Sequence, residues 1–230
     1  MPRAAFEREL QRLQDEILVL GSMVEKALME SVAGLKRRDL EAARRVIAED
    51  RLINEKRFAI EADALVLIAT QQPMAGDLRT IAAVLEIATE LERTGDYAKG
   101  IAKISLMIGE QAFVKPLIDI PRMAEKARDM LHRALDAFIR RDVDLARAIP
   151  EDDGIVDALY NQVYRELLTF IMSDPRNIDQ ANYLLWVAHN LERAADRATN
   201  ICERVIFTVT GEMVEMDVEN GPDAGVEGIA

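Results

Sequence analysis

Apolar residues along the chain return at intervals of three and four, with polar residues filling the positions between. Phe6, Leu10, Leu13, Ile17, Leu20, Val24, Leu28 and Leu35 form one such stripe, the spacing that turns a single helical face toward a neighbour. Val84, Ala88, Leu91, Gly95, Ala98 and Ala102 form another, and Leu184, Ala188, Leu191, Ala195, Ala198 and Cys202 repeat it with the same rhythm. The small residues in both predict close helix contact. Breakers stand between the stripes. Asp39 and Asp142 are suited to cap the starts of the second and fifth helices, Pro73 and Pro175 separate the next pairs, and Pro116 and Pro121 bracket a central link. The pattern predicts six helices near 4–37, 39–71, 76–109, 121–140, 142–173 and 177–210. Pro150 is expected to kink or interrupt the fifth.

The chain also repeats itself. Arg37-Arg38-Asp39-Leu40 returns as Arg140-Arg141-Asp142-Val143, and the same shift of 103 pairs Leu28 with Leu131, Asp50 with Asp153 and Ile53 with Val156. Further on, Leu91-Glu92-Arg93 returns as Leu191-Glu192-Arg193 at a shift of 100. The change falls where Gln71–Asp77 faces the shorter Ser173–Arg176, so a loop of different length accounts for both shifts. Short connections make successive helices antiparallel. The fold class is therefore all-α, as two tandem, pseudo-symmetric, antiparallel three-helix bundles over residues 1–115 and 116–210, followed by a tail over 211–230.

Charge changes this picture in one respect. The net charge of −12 argues against a nucleic-acid partner, which needs clustered Lys and Arg. The tail carries Glu212, Glu215, Asp217, Glu219, Asp223 and Glu227 with no base, half of that excess, and is expected to be disordered. The single cysteine, Cys202, fits a reducing compartment, and its place in an apolar stripe marks it as core. No apolar run approaches the roughly 20 residues of a membrane span, and the opening MPRAAFEREL has no apolar signal core. A cytoplasmic protein with only peripheral membrane contact is expected.

The candidate chemistry lies in acidic pairs. Glu92 with Asp96, and Glu192 with Asp196, stand four apart on one helical face. Like charges at that spacing repel by about 0.2–0.5 kcal/mol, and the pairing occurs in both copies. Asp153 with Asp157 forms a third pair, and Asp50 with Asn54 holds the equivalent place in the first copy. If adjacent helices bring these groups together, each bundle gathers four oxygen-bearing side chains, a donor set suited to magnesium, calcium or manganese, with iron or zinc also accommodated. The plain alternative is a solvated acidic face, with Arg93 and Arg193 pairing across helices in a structural network. Asp129 with His132 resembles half of a di-iron motif whose mate is missing, and His189 precedes Glu192 by three residues. Tyr183 and Trp186 read as packing or interface residues. No nucleophile elbow, phosphate loop, dinucleotide fingerprint or zinc-protease helix occurs, which favours binding over turnover.

Leu91-Glu92-Arg93-Thr94-Gly95-Asp96, Leu191-Glu192-Arg193-Ala194-Ala195-Asp196, Gln72-Pro73-Met74-Ala75-Gly76-Asp77-Leu78-Arg79 and Asn200-Ile201-Cys202-Glu203-Arg204-Val205-Ile206-Phe207, in this order, resemble the PhoU family of bacterial phosphate-uptake regulators up to about Gly211. The resemblance implies two symmetric three-helix bundles and repression of the phosphate-starvation response. It implies contacts with the ATPase subunit of the phosphate ABC transporter and with a membrane sensor histidine kinase, and a homodimer. It also implies multinuclear metal clusters, carried here by Glu92, Asp96, Glu192, Asp196, Asp153 and Asp157, and by Asp50 with Asn54. The chain departs from the family pattern where His is usual, at Tyr97 and Arg197, at Ala195 in place of Gly, and at Gly100 in place of Asn. These departures place Arg197 next to the second cluster, so the two clusters need not bind the same ion or bind equally well.

The leading expectation is thus a metal-binding adaptor between transporter and kinase. Direct phosphate binding does not suit so acidic a chain, whereas a bound cation could bridge the two. The competing expectation is a carboxylate-bridged metalloenzyme or metal-storage bundle.

Overall fold

The turn between the first two helices shows how the repeat builds structure. The side chain of Asp39 accepts from the Ala42 amide at 2.9 Å, and that of Asp142 accepts from the Leu145 amide at 2.9 Å. Each satisfies one of the amides left open at a helix start. Immediately before them, Arg38 and Arg141 take left-handed backbone angles, φ 57° and 54°. The Asp39 amide then closes on the Gly34 carbonyl and the Asp142 amide on the Ala137 carbonyl, both at 2.9 Å, a Schellman closure of the preceding helix. Both arginines also reach outward, Arg38 to the Glu110 carbonyl at 3.3 Å and Arg141 to the Thr80 hydroxyl at 2.9 Å.

The computed structural model describes residues 3–216, and all regular structure among them is helical. The elements are α1 (Arg3–Arg37), α2 (Leu40–Gln71), α3 (Ala75–Ile108), α4 (Asp119–Arg140), α5 (Val143–Ala148), α6 (Asp153–Ser173) and α7 (Ile178–Thr210). The expected interruption at Pro150 is a 3₁₀ turn over Ile149–Asp152 that divides the fifth rod into α5 and α6, because proline has no amide to continue the ladder. Pro121 lies inside the first turn of α4 rather than in the link. Proline is tolerated there, where amides have no helical partner.

Helices α1, α2 and α3 pack on one another, as do α4, α6 and α7, while α3 against α7 and α1 against α4 join the two sets. At the first of these joints the chains run oppositely, since Glu90 meets Asn200 and Tyr97 meets Arg193. At the second, a Cβ on Gly21 would lie 2.2 Å from Leu135 Cδ1, so any larger residue there requires the end of the Leu135 side chain to move. One apolar core runs from Leu13 and Leu20 through Leu91 to Leu131 and Leu191. The two bundles are a repeat in topology, yet they share this interior. Cys202 lies in it fully buried, its thiol pushed up to about 12 by burial, so it packs as a small apolar residue.

Of the expected tail over 211–230, residues 217–230 lie outside the described residues. Residues 211–216 return along the body. Val214 and Met216 pack against the core, and the Met216 amide donates to Glu203 Oε1 at 2.8 Å. The link between halves is fastened similarly, by Gln180, which accepts from the Val114 amide and donates to the Ala112 carbonyl at 2.9 Å.

Volume is matched between the copies. A Cβ on Gly95 would stand 3.2 Å from Ile53 Cδ1, whereas the equivalent positions of the second copy hold Ala195 and Val156. The methyl group has moved from one helix to its neighbour, as close packing requires. Ile53→Val alone should cost about 0.5–1.5 kcal/mol. In a Gly95→Ala background the cost should shrink by at least about 0.5 kcal/mol, measurable by urea denaturation of the four proteins. Equal costs in both backgrounds would show that the two positions do not share space.

Candidate functional site

The acidic side chains fall on faces that meet. In the first half, α2 supplies Asp50 and Asn54, and α3 supplies Glu92 and Asp96. Asp50 is buried, 6% exposed, and its Oδ2 accepts from Lys99 Nζ at 2.6 Å and from Asn54 Nδ2 at 3.3 Å. Lys99 Nζ also lies 3.6 Å from Asp96 Oδ1. Asp50 Oδ1 is buried with no hydrogen-bond partner among the described residues. Burial raises Glu92 above the usual carboxylate range, aided by Asp96 and Asp50 and opposed by Arg57 and Arg93. The ammonium of Lys99 is raised, chiefly by its hydrogen bond to Asp50. This cluster therefore contains its own cation.

In the second half, α6 supplies Asp153 and Asp157, and α7 supplies Glu192 and Asp196. Glu192 is pushed up to about 7, first by burial and then by the fields of Asp196, Asp157 and Asp153, with Arg193 opposing. Burial also raises Asp157. Glu192 Oε2 is buried without a hydrogen bond, although His189 Nδ1 stands 3.3 Å away. The acids thus feel one another's charge within each half, Glu92 with Asp96 and Asp50, and Glu192 with Asp196, Asp157 and Asp153. Among the described residues, no three His, Cys, Asp or Glu side chains already converge on one point as metal ligands do.

The departures at Tyr97, Arg197 and Gly100 do not face these clusters. Arg197 Nη1 donates to Glu90 Oε2 at 3.2 Å, Arg193 Nε donates to the Tyr97 hydroxyl at 3.1 Å, and Gly100 faces Asn190. All belong to the joint between α3 and α7. Arg197 was expected beside the second cluster, but it follows Asp196 by one residue and so points about 100° round the helix. Nor do Arg93 and Arg193 pair with the clusters, since Arg93 goes to Glu90 at 2.8 Å. Asp129 and His132 part company, the first toward Arg133 and the second toward Glu25 on α1. The residues that sequence reasoning missed are Lys99 and Arg57. Lys99 lies three and seven positions after Asp96 and Glu92, a same-face spacing that could have been read.

A separate groove of about 660 Å³ opens between α2, α3 and α7, lined by Leu65, Leu85, Glu86, Glu90, Asn200 and Arg204. Its acids are matched, Glu86 with Arg204 at 2.8 Å and Glu90 with Arg93 and Arg197.

The PhoU domain matches this chain twice, over residues 17–105 and 120–205. A phosphate-specific transport system accessory protein PhoU homolog of Clostridium acetobutylicum is 36% identical over 218 residues, 94% of this chain and 100% of that protein. Its namesake in Caulobacter vibrioides is 40% identical over 209 residues, 90% of this chain and 91% of that protein. The crystal structure of PhoU from Pseudomonas aeruginosa superposes with a TM-score of 0.85 at 34% identity, covering 90% of this chain and 100% of that one.

Glu192 generates a pH prediction. A carboxyl whose pKa is higher folded than unfolded binds its proton more tightly in the native state, so its cost is absent below the ordinary value near 4.5, grows as pH rises, and is complete above about 7. Chelator-treated protein should therefore lose melting temperature between about pH 5 and pH 8. Glu192→Gln should flatten that slope and raise the midpoint at pH 8 by roughly 2–4 °C. A lower midpoint for the variant at both pH values would contradict the assignment.

Proposed function

Because this chain belongs to the PhoU family, we propose that it is a cytoplasmic regulator of phosphate uptake and of the phosphate-starvation response. In this reading it acts as a metal-binding adaptor between the ATPase subunit of the phosphate ABC transporter and a membrane sensor histidine kinase. The observation that carries the reading is the double PhoU match together with relatives, spanning most of the chain, that are named accessory proteins of phosphate-specific transport. A role in phosphate transport follows from that family. The adaptor role, the kinase and the metal are the proposed part.

The surface supports a role in binding. The outer helices α2 and α6 carry exposed apolar side chains at equivalent places, Leu52 with Ile155 and Leu65 with Leu168, to which Phe58 and Met172 add. Such side chains can serve as contacts for a protein partner, and the α2 face is the one proposed to meet the transporter ATPase. No helix among the described residues is long and apolar enough to cross a membrane, so the membrane components would be met from outside the bilayer. A homodimer suits the same surfaces.

The carboxylates Asp153, Asp157, Glu192 and Asp196 suit a hard divalent or trivalent ion, since they offer oxygen donors, among which Glu192 is raised first by burial and then by the charges of the other three. A bound ion, whether iron, zinc, magnesium, manganese or calcium, supplies positive charge that offsets that repulsion and could hold phosphate against an acidic protein. His189 stands at the edge of this set.

Recovery of tagged protein from phosphate-replete and phosphate-starved cells tests the reading. Transporter ATPase and kinase should copurify in a phosphate-dependent way, and Phe58→Glu with Leu65→Glu should reduce ATPase recovery about tenfold or more, the loss expected when two apolar contacts are charged. Recovery of neither partner would remove the adaptor role. Oxidase turnover by an iron-loaded preparation would instead favour the metalloenzyme.

A further inference from the structure

The chain leaves the described body at a particular place. After Gly211 caps α7, facing Arg79 of α3, residues 212–216 turn back along the same helix, and the Met216 amide donates to Glu203 Oε1 at 2.8 Å. This return covers roughly 10 Å of α7. Glu203 is also a wall of the groove of about 660 Å³ between α2, α3 and α7, so the chain is delivered to the edge of that groove. Residues 217–230 follow, carrying Asp217, Glu219, Asp223 and Glu227 and no base. The PhoU match ends at residue 205, which leaves this segment outside the domain match.

The groove offers both apolar surface and arginines. Leu65, which is 59% exposed, and Leu85 supply the first. Its acids are already met: Glu61 by Arg57 and Glu86 by Arg204, each at 2.8 Å, Glu90 by Arg93, Arg197 and Asn200, and Glu203 by Arg204 and the Met216 amide. Arg193, Arg197, Asn200 and Arg204 fall at steps of four, three and four, one face of α7. Arg193 is exposed, and its Nε donates to the Tyr97 hydroxyl. Along this strip the four glutamates are balanced by four arginines and Arg193 adds a further base, in a chain whose net charge is −12.

We propose that residues 217–230 dock into this groove as its tethered occupant, the acids along the arginine strip of α7 and the side chains of Val218, Val226 and Ile229 toward Leu65 and Leu85. Length permits it, because fourteen extended residues span at most about 46 Å, against roughly 15 Å along α7 from Glu203 to Arg193. Charge favours it as well. The carboxylate clusters on the α2 and α6 sides repel an acidic segment, whereas the arginines of the strip attract it. Its attachment at Glu203 raises its local concentration at the groove to the order of millimolar, so individually weak contacts suffice. The segment then covers Leu65, and a partner that contacts Leu65 has to displace it.

Disulfide cross-linking in the full chain provides the test. Asn220→Cys with Leu65→Cys sets one thiol in the segment and one in the groove, while Asn220→Cys with Ile155→Cys sets the second on the exposed face of α6. Cys202 is fully buried and does not compete. With oxidised glutathione, the groove pair should close about tenfold faster or more than the α6 pair. Asp217→Asn with Glu219→Gln, changes that lie outside the described body, should slow the groove pair to the rate of the α6 pair. Arg93→Glu with Arg193→Glu should do the same, as should salt of about 1 M. Equal rates for the two pairs would overturn the proposal, as would a groove rate indifferent to these charges. A rate that rises with protein concentration would overturn it too, because the groove would then hold the segment of a second copy.

Discussion

The antiparallel contact of α3 with α7 is the constraint on which the remaining architecture rests. These two helices carry the motif-bearing stretches of both copies, and each is the inner wall of its own bundle as well as the face presented to the other. Glu90 holds the joint by accepting from Arg197 and Asn200 across it, charge-assisted bonds at a partly buried place where they outweigh exposed ion pairs. With one side of α3 committed to α7 and another to α1, its acidic side is left to α2, and α7, packed on α3 and α4, likewise turns its acids toward α6. The clusters therefore stand on opposite flanks of one shared core.

Within that frame the copies have diverged differently in shape and in charge. Shape is conserved by exchange, as Ile53 with Gly95 becomes Val156 with Ala195. Charge is not: Lys99, Arg57 and Asn54 become Thr199, Tyr160 and Asp157. Core volume is tightly limited by packing density, while the walls of a half-exposed cluster tolerate any set of groups whose charges are satisfied. A duplicated fold can in this way hold its geometry while its two sites acquire different chemistry.

Much of the fold was legible in the residues themselves. Apolar periodicity set the rods, Asp39 and Asp142 marked two helix starts, and Pro150 marked the break, since each acts locally through the backbone. The acidic positions were legible for the same reason, a four-residue spacing being visible without any tertiary knowledge. What escaped was direction and company. Arg197 was read by its proximity to Asp196 along the chain, although one residue on a helix is a quarter turn away from its neighbour. Lys99 escaped because its attachment to Asp50 spans 49 residues of sequence and depends on how α2 and α3 pack. The return of 211–216 along the body depends on Glu203 and the core lying within reach, which no local pattern encodes.

Arg38 and Arg141 occupy left-handed positions where glycine would be easier by about 1 kcal/mol. Glycine has no side chain with which to reach Thr80 or the Glu110 carbonyl, and Arg141 spans from one copy to the other in doing so. Each corner thus accepts a strained backbone to act as a strut. Through Arg141 the corner ahead of α5 is tied to α3 of the other copy, so a push on that corner is carried across the joint rather than spent in the turn.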